Sequence, residues 1–370
     1  MNNYNKYMKR ILFVLGDCTY PQKTGGMEIF NYYLIKALQK DLIVSYLSNR
    51  KMDIENAMHK KSYNIRPIKY FFPLQLLICL LFDKRIDKVV FSFSAAHAVI
   101  WKLYYSICKF LHIKYIAVIH YGDVAPSKSD KIYNNFFHGA ETVVAVSEDI
   151  KKNYDSKYGI NCKVIYPLVP FSEAKSSKEL LREKYNIPQD ANTICMVGSI
   201  KGMKNPDTII ETLRSFTNDE IEKYKPHVIF AGGGPDLKSL KAKTVQYNLS
   251  KYITFLGNVP KEYVNEIYKL SDYYLIASDF EGTSVSLLEA MFNKKPIITS
   301  RVPGIVNTIN ENSECQMFAV KNQVELKNCL VMYFDNPNIV QELSEKAFEH
   351  FLKSYNYDNV VKAYINILNN

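Results

Sequence analysis

Residues 279–291, DFEGTSVSLLEAM, place two carboxylates around a predicted helix start, and this feature constrains the fold most strongly. Before it, residues 273–277 form a short apolar and aromatic run that predicts a buried strand. After it, the apolar positions among residues 287–292 predict one buried side of a helix that begins near Thr283. The first N–H groups of a helix lack intrahelical partners, and the helix dipole adds positive charge there. The stretch therefore predicts an anion site suited to a diphosphate.

Glu281 and Glu289 are the two carboxylates at this predicted site. Glu281 lies in the loop, where it is placed to accept hydrogen bonds from sugar hydroxyls. Glu289 lies on an otherwise apolar helix, where an unpaired charge is costly, and a ribose diol would be a good partner for it. The alternative is that Glu281 is only an acid at a helix N-terminus and Glu289 only a solvated surface residue. Spacing alone leaves both interpretations open.

In this setting, Glu281 and Glu289 with seven residues between them resemble the Glu-x7-Glu signature of retaining glycosyltransferases with the GT-B fold. The chain is most similar to glycosyltransferase family 4. The resemblance implies an α/β protein of two Rossmann-like, doubly wound domains that face each other across a cleft. It implies a retaining hexosyltransferase that uses a nucleotide-diphosphate sugar, expected to be a UDP-sugar, and an acceptor hydroxyl. It also places donor contacts around the helix start, at Gly282, Thr283, Ser284, Val285, Ser286 and Glu289.

A chain of 370 residues is long for one domain and suits two. Residues 1–170 are expected to form the acceptor-side domain, and a C-terminal helix at about 355–370 is expected to return to it. Residues 190–352 are expected to bind the nucleotide sugar. Residues 167–190 contain three prolines and a Lys/Glu-rich helix, which is typical of a linker.

The net charge of +10 is compatible with an anionic nucleotide and an anionic membrane surface, or with diffuse solvated lysines. Nucleic acid is not an expected partner, because zinc-finger spacing, a basic helix and a low-complexity arm are absent from the sequence. The seven cysteines never form a Cys-x-x-Cys pair, which indicates a reducing compartment and argues against a zinc site. We therefore expect a cytoplasmic protein without a cofactor.

Two segments combine lysines with large apolar residues, residues 68–85 and residues 101–114. Such segments suit a membrane interface, and they suit half-buried helices equally well. The longest apolar run, residues 70–82, contains Pro73 and Gln75 and is too short to span a bilayer. The membrane interpretation predicts peripheral binding at the cytoplasmic face. The acceptor would then be a lipid-linked saccharide, as in envelope or capsule polysaccharide synthesis.

The first half opens with a predicted strand at residues 10–15, a loop at 17–26 and a helix at 27–39. By resemblance, Gly25 and Gly26 in that loop approach the donor diphosphate, because glycine permits close backbone contact. His120 ends a predicted strand at residues 114–120. A lone histidine is usually structural, but the carboxyl end of a parallel strand faces the ligand crevice. By resemblance, His120 contacts the donor sugar or diphosphate and is a catalytic candidate.

The second half restarts the α/β pattern with a predicted strand at residues 194–197, closed by Gly198. The family usually has an arginine next and a lysine after it, and the pair clamps the diphosphate. Here Ser199 stands in the arginine position, whereas Lys204 is in register and is assigned to phosphate. Either Lys201 compensates for the missing arginine or the clamp is weaker than usual. By resemblance, the turn at Asn258 and Val259 places backbone against the nucleobase. Residues 303 and 304 match a later glycine turn of the family.

The chain has no Asp-x-Asp sequence and no His/Cys set with ligand spacing, so a metal-independent reaction is expected. Lys204, the helix start and glycine-loop amides would then stabilise the departing diphosphate. By resemblance, Glu281 stabilises the oxocarbenium-like centre, which makes Glu281, His120 and Lys204 the catalytic candidates. Two alternatives remain open, a sugar-nucleotide epimerase and a non-catalytic sugar-nucleotide-binding subunit. Ser199 favours the second of these.

Overall fold

Two parallel β-sheets form the framework of the chain, one in each of two structural units. The computed structural model describes residues 8–16, 19, 26–61, 71–83, 85–93, 98–120, 128–168, 173–282 and 284–370. The first unit comprises residues 1–170 together with 356–370, and the second comprises residues 171–355. Gly25, the residues 20–24 that precede it in the predicted glycine loop, and Thr283 lie outside the described residues.

The first unit has seven parallel strands in the order β3-β2-β1-β4-β5-β6-β7. Their bounds are β1 Arg10–Gly16, β2 Ile43–Ser48, β3 Met58–Lys61, β4 Lys88–Phe93, β5 Lys114–Ile119, β6 Thr142–Ala145 and β7 Lys163–Val164. Central strands of a parallel sheet are covered on both faces, so their side chains are almost all apolar and buried. Leu12 of β1, for example, lies between Ser45 of β2 and Val89 of β4.

The described residues of the first unit form the helices α1 Gly26–Leu38, α2 Phe71–Phe82, α3 Ala98–Phe110, α4 Asp130–His138, α5 Glu148–Tyr158 and α15 Tyr357–Asn369. The last of these brings the C-terminus into the core of the first unit, where Tyr364 and Leu368 are buried. The buried Lys88 of β4 donates a hydrogen bond to the Ile367 carbonyl at 3.1 Å and pairs with Glu141. This lysine therefore ties the end of the chain to the first sheet.

The second unit has six parallel strands in the order β10-β9-β8-β11-β12-β13. The strands are β8 Asn192–Val197, β9 Pro226–Ala231, β10 Ile253–Gly257, β11 Tyr273–Ile276, β12 Ile297–Ser300 and β13 Gln316–Phe318. The helices are α6 Lys178–Lys184, α7 Pro206–Arg214, α8 Asn218–Tyr224, α9 Leu237–Gln246, α10 Val264–Leu270, α11 Val285–Phe292, α12 Pro303–Val306, α13 Gln323–Asp335 and α14 Pro337–Ser354. None of the helices in the described ranges is long and apolar enough to cross a bilayer.

The strand order reverses once in each sheet, between β1 and β4 in the first and between β8 and β11 in the second. Chain segments that leave such neighbouring strands diverge to opposite faces of the sheet. Ligands of doubly wound proteins bind in the crevice outside the carboxyl ends at this point. In the second unit, the crevice is bordered by the segments that follow Val197 and Ile276.

The predicted doubly wound α/β class is confirmed, and most predicted strands are present within one or two residues. The sequence prediction missed β3 and β13, two short strands at the edges of their sheets. Residues 167–190, predicted as a linker that includes a Lys/Glu-rich helix, contain that helix as α6, which belongs to the second unit. This helix packs against α10, and its Arg182 is buried. Arg182 pairs with Asp272, which connects α6 to the start of β11.

Candidate active site

Lys204 and Glu281 meet at the switch point of the second sheet. Lys204 ends a 3-10 turn that follows β8, and Glu281 lies in the loop that follows β11. The Lys204 ammonium contacts Oε1 of Glu281, and the Ser278 hydroxyl donates to the same oxygen at 2.6 Å. Glu281 is buried, so its charge depends on these partners. Two of the three catalytic candidates are therefore in direct contact.

The loop that carries Glu281 is anchored to the turn that carries Lys204. The backbone N–H of Asp279 donates to the Met203 carbonyl at 2.9 Å. The side-chain amide of Asn205 also donates to the Asp279 carboxylate, which pairs with Lys321 at 3.0 Å. These bonds join the loops after β8 and β11, and they fix the position of Glu281 relative to Lys204.

Gly304 packs against the same loop and corrects a prediction. Residues 303 and 304 were expected in a turn, but they form the first residues of the short helix α12. A Cβ atom at Gly304 would overlap the carbonyl oxygens of Glu281 and Gly282. Glycine is therefore required here for close approach of α12 to the Glu281 loop, and not for an unusual backbone conformation.

The helix after Glu281 begins slightly later than predicted. Ser284 is the N-cap residue of α11 and Val285 is its first residue, whereas the sequence predicted a start near Thr283. The Ser284 and Ser286 hydroxyls lie 3.2 Å apart, and the Tyr274 hydroxyl donates to Ser286 Oγ at 2.7 Å. Two hydroxyl side chains and the first N–H groups of α11 thus surround the helix start, beside Gly282.

Glu289 lies one turn further along α11 and is only 4% exposed. The alternative that it is a solvated surface residue is therefore wrong. The Lys261 ammonium contacts Oε1, and the Tyr268 hydroxyl lies 3.0 Å from Oε2. Burial lowers the pKa of Lys261 to about 8, while the adjacent carboxylate favours its charged form. Sequence reasoning missed Lys261 and Tyr268, because a turn lysine and a helix tyrosine carry no distinctive pattern.

The carboxyl ends of β8, β9 and β10 approach one another through glycines. Gly198 has φ of 141°, a conformation that favours glycine, and a Cβ atom at Gly232 would overlap the Gly198 carbonyl. A Cβ atom at Gly233 would overlap the side-chain amide of Asn258. Gly198 and Asn258 are therefore brought to the same edge of the sheet, next to Ser199 and Val259 in sequence.

His120 belongs to the first unit, directly after β5. Its ring packs edge-on against Phe30 with a centroid distance of 4.8 Å. Its Nε2 atom is buried, and none of the described residues lies within hydrogen-bonding distance of it. Burial lowers the pKa of His120 to about 3, so the imidazole is neutral at physiological pH. Gly26, the other described candidate in this unit, is the first residue of α1 and not part of a loop.

Some residues of the predicted membrane-binding segments are exposed and others are buried. Trp101 and Tyr104 are buried against Phe91 and Phe93 in the core, so these aromatic residues do not face solvent. Lys114 pairs with Glu141. The exposed large apolar residues of α2 and α3 are Leu74, Ile78, Leu81, Phe82, Val99, Leu103 and Phe110, and we call this set the α2–α3 face. Lys102 and Lys109, both exposed, lie on α3 at helical spacing with Val99, Leu103 and Phe110.

A search of the described residues finds no group of three His, Cys, Asp or Glu side chains placed to hold a metal ion. The cations next to Glu281 and Glu289 are the lysines at positions 204 and 261.

Known proteins match both halves of the chain. The family described as "Glycosyltransferase Family 4" matches residues 24–173, and the family described as "Glycosyl transferases group 1" matches residues 177–350. An uncharacterized glycosyltransferase of Methanocaldococcus jannaschii is 22% identical over 94% of this chain and 95% of its own length. Alpha-monoglucosyldiacylglycerol synthase of Acholeplasma laidlawii is 26% identical, and the match spans 64% of this chain and 62% of that protein.

Solved structures support the same fold. A glycosyltransferase of Rickettsia africae superposes with a TM-score of 0.83 at 20% identity, over 98% of both chains. HepE of Anabaena, in complex with UDP, superposes with a TM-score of 0.80 at 13% identity, over 98% of this chain and 100% of its own. The fold and the matched families define a glycosyltransferase of the GT-B class. Within that class, the chain belongs to glycosyltransferase family 4, as its Glu-x7-Glu stretch indicated.

Proposed function

We propose that this glycosyltransferase moves a hexosyl group, with retention, from a UDP-sugar to a hydroxyl of a lipid-linked saccharide at a membrane surface. The single observation that carries the donor part is the contact of Lys204 with Glu281 at the switch point, directly before the start of α11. An ammonium, a buried carboxylate and a helix N-terminus together suit a sugar attached to a diphosphate.

In this proposal, each part of the donor has its own residues in the second unit. The first N–H groups of α11, at Val285 and Ser286, and the Lys204 ammonium bind the diphosphate. Gly282 and Ser284 directly precede the helix and are proposed to contact the donor, as is Thr283, which lies between them in sequence. Glu289 binds the ribose hydroxyls, and the backbone at Asn258 and Val259 packs against the base. Gly198 and Ser199 let the chain pass close to the phosphates.

Ser199 does not by itself prevent turnover under this proposal. An ammonium has three N–H donors, so Lys204 can keep its contact with Glu281 and still bind a phosphate oxygen. The positive charge at the helix start adds to it. Without the arginine, the diphosphate is held less strongly. We therefore expect a lower donor affinity rather than loss of catalysis.

The proposed reaction breaks the bond between the sugar C1 and the diphosphate oxygen and forms a bond between C1 and the acceptor oxygen. Glu281 contacts sugar hydroxyls and stabilises the positive charge that develops at C1. The acceptor proton passes to the leaving diphosphate, whose negative charge Lys204 and α11 stabilise. The family resemblance is the ground for also proposing His120, Gly25 and Gly26 as donor contacts.

A panel of nucleoside diphosphates in a thermal-shift assay tests the donor part, because a ligand that binds only the folded state raises the melting temperature. We expect UDP and UDP-sugars to give the largest increases. Transfer of labelled sugar to acceptor, unaffected by a chelator, is the expected catalytic result. Turnover of the sugar nucleotide without acceptor would instead indicate an epimerase, and a strict requirement for Mn²⁺ or Mg²⁺ would contradict the charge assignment.

The α2–α3 face supports the membrane part of the proposal. Phe82 and Phe110 are 87% and 78% exposed, and Lys102 and Lys109 lie on the same helix as Phe110. Exposed apolar residues can insert into the acyl region of a bilayer while neighbouring lysines bind its anionic headgroups. Each lysine near an anionic leaflet contributes about 1 kcal/mol, screened by salt. The named activity of one relative, a monoglucosyldiacylglycerol synthase, also involves a lipid.

Vesicle co-sedimentation tests this surface. We expect binding to anionic liposomes at low salt, and we expect Lys102→Glu with Lys109→Glu to reduce it strongly. Lys40→Glu with Lys51→Glu makes the same change of charge at exposed positions of the first unit outside α2 and α3, and serves as the matched control. Phe82→Ser with Phe110→Ser should weaken the part of binding that salt does not remove. A protein that stays in the supernatant at low salt would contradict the membrane proposal and leave the donor proposal intact.

A further inference from the structure

We propose that Lys261 and Tyr268 are positioning residues of the nucleoside site, which hold the Glu289 carboxylate ionised and aimed at the ribose of the donor. The inference rests on the proposed function, in which Glu289 binds the ribose. Neither residue was a site candidate from the sequence, and both are identified by their contacts.

Three elements of the second unit converge on Glu289. Lys261 begins the 3-10 turn that follows β10, Tyr268 lies on α10, and Glu289 lies on α11. The Lys261 ammonium contacts Oε1, and the Tyr268 hydroxyl is 3.0 Å from Oε2. A carboxylate oxygen can accept two hydrogen bonds. Among the described residues, each oxygen thus has one protein partner, and each has the capacity for one hydroxyl of a ribose diol.

The charge of Glu289 depends on Lys261 because the carboxylate is buried. A buried carboxyl without a nearby cation holds its proton to higher pH, since burial disfavours the charged form. A protonated carboxyl has a hydrogen on one oxygen and accepts weaker hydrogen bonds from ribose hydroxyls. Burying a lysine is itself costly, as the low pKa of Lys261 reflects. A pair of this kind is consistent with a site that must present a charged carboxylate to a ligand.

Tyr268 fixes the direction of the carboxylate. Its hydroxyl lies 3.0 Å from Glu289 Oε2 and 2.9 Å from the Ser286 carbonyl oxygen, one turn earlier on α11. Burial raises the pKa of Tyr268 well above 10, so the hydroxyl keeps its single hydrogen, which the two oxygens share as a bifurcated hydrogen bond. The side chain therefore sets Glu289 relative to the turn of α11 proposed to bind the diphosphate.

Few other titratable groups among the described residues face this part of α11. Tyr274 of β11 donates to Ser286 Oγ, and Glu281 lies near Tyr274. Helix α14 also packs on α11, where Phe348 and Phe351 contact Phe292, and its Glu345 pairs with Lys294 beyond the helix end. Lys261 is the cation in contact with Glu289, so its removal should change the pH at which that carboxylate takes up a proton.

The test is the affinity of the full chain for UDP, measured by calorimetry between about pH 5.5 and 8.5, for wild type and Lys261→Met. We expect affinity on the order of tenfold weaker near neutral pH, as for loss of a hydrogen bond to a charged group. The ratio of variant to wild-type dissociation constants should rise as the pH falls. The ratio cancels titration of the UDP phosphate. Lys261→Arg, which keeps the cation, should restore near wild-type affinity at every pH.

The double variant Lys261→Met with Glu289→Gln separates this role from a structural one. A neutral amide needs no cation, so the double variant should fold even if Lys261→Met alone does not. It should bind UDP as weakly as Glu289→Gln alone, with a ratio that does not change with pH. Tyr268→Phe should show the pH dependence of Lys261→Met to a smaller degree.

The two possible failures are distinguishable. Three results would overturn the positioning role and leave the nucleotide site intact. The ratio of dissociation constants for Lys261→Met would not change with pH, or Lys261→Met would bind UDP more tightly at all pH values. Alternatively, Lys261→Met would lose as much UDP affinity in the Glu289→Gln background as in wild type. Wild-type affinity for UDP in Glu289→Gln alone would instead remove the ribose role on which the inference rests.

Discussion

The second sheet holds carboxylates in opposite ways where its strands begin, which we call the amino-terminal edge, and where its strands end, which we call the carboxyl edge. At the amino-terminal edge, Asp272 precedes β11 and forms ion pairs with Lys178 and Arg182. It also accepts hydrogen bonds from the N–H and the hydroxyl of Thr193. At the carboxyl edge, Glu281 and Glu289 each have one lysine and one hydroxyl partner among the described residues. Protein donors nearly saturate the first carboxylate, whereas the other two can accept further hydrogen bonds. The difference separates a structural charge cluster from a ligand site.

Arg182 shows how complete the amino-terminal cluster is. Its Nε donates to the Leu270 carbonyl at 3.0 Å, and Nη1 donates to the Gln189 carbonyl at 2.6 Å. Its Nη2 donates to Asp272 and to the Thr193 hydroxyl, both at 2.7 Å. The cluster therefore joins α6 to the starts of β8 and β11, with little capacity left for a ligand.

The largest expected effect is on stability, from Asp272→Ala. The change leaves Arg182 buried without its carboxylate, which typically costs about 3–5 kcal/mol of unfolding free energy. Urea unfolding measures this loss, and Asp190→Ala, which removes an exposed carboxylate paired with Lys225, is the control with no expected change. An Asp272→Ala protein as stable as wild type would mean that the cluster is not structural.

The same cluster predicts a stability change in acid. Burial alone would raise the pKa of Asp272, but hydrogen bonds from Lys178 and Thr193 outweigh it and lower the pKa below 3.8. A carboxyl with a depressed folded-state pKa contributes stability that is present above its unfolded value and is lost as the pH falls through the folded value. Wild type should therefore lose stability below about pH 4, and Asp272→Ala should lack this part of the loss.

The next effect is on catalysis, from Glu281→Gln. Loss of the charge near C1 should lower kcat by on the order of 100-fold or more, as for removal of one preorganised electrostatic group. UDP affinity should change little, because UDP lacks the transferred hexose that Glu281 is proposed to contact. Steady-state transfer assays measure both quantities. Glu311→Gln removes a glutamate paired with Arg301 elsewhere in the unit, and it should leave kcat unchanged.

An unchanged kcat in Glu281→Gln would place the catalytic charge elsewhere. A loss of UDP affinity equal to the loss of kcat would assign Glu281 to the diphosphate and not to the sugar. Either result would weaken the contrast between the two sheet edges.

The sequence predicted the doubly wound fold because central strands, covered on both faces, are continuous apolar runs such as residues 114–119. It missed β3 and β13 because an edge strand pairs on one side only and needs no such run. The segment Met58–Lys61 reads Met-His-Lys-Lys, which has no strand signal of its own. Tertiary pairing with β2 decides its conformation.

The spacing of residues along the sequence predicted the loop that carries Glu281 and the helix that carries Glu289, because both lie within one strand-loop-helix segment. The partners could not be predicted in the same way. Lys261 lies 28 positions from its partner Glu289, and Arg182 lies 90 positions from its partner Asp272. Only the fold brings such residues to a buried carboxylate. The membrane prediction erred at Trp101 and Tyr104 for a related reason, since an aromatic residue in a mixed helix gives no sign of the side that it faces.

The most direct test of the central claim is the affinity for UDP of three proteins, wild type, Asp272→Ala and Glu289→Ala, each at a temperature where it is folded. The claim is that the carboxyl edge of the second sheet binds the nucleotide and the amino-terminal edge does not. We predict that Glu289→Ala loses about 1–3 kcal/mol of binding free energy, the range for a hydrogen-bonded charged group. Asp272→Ala should bind UDP as wild type does. Wild-type affinity in Glu289→Ala would contradict the claim.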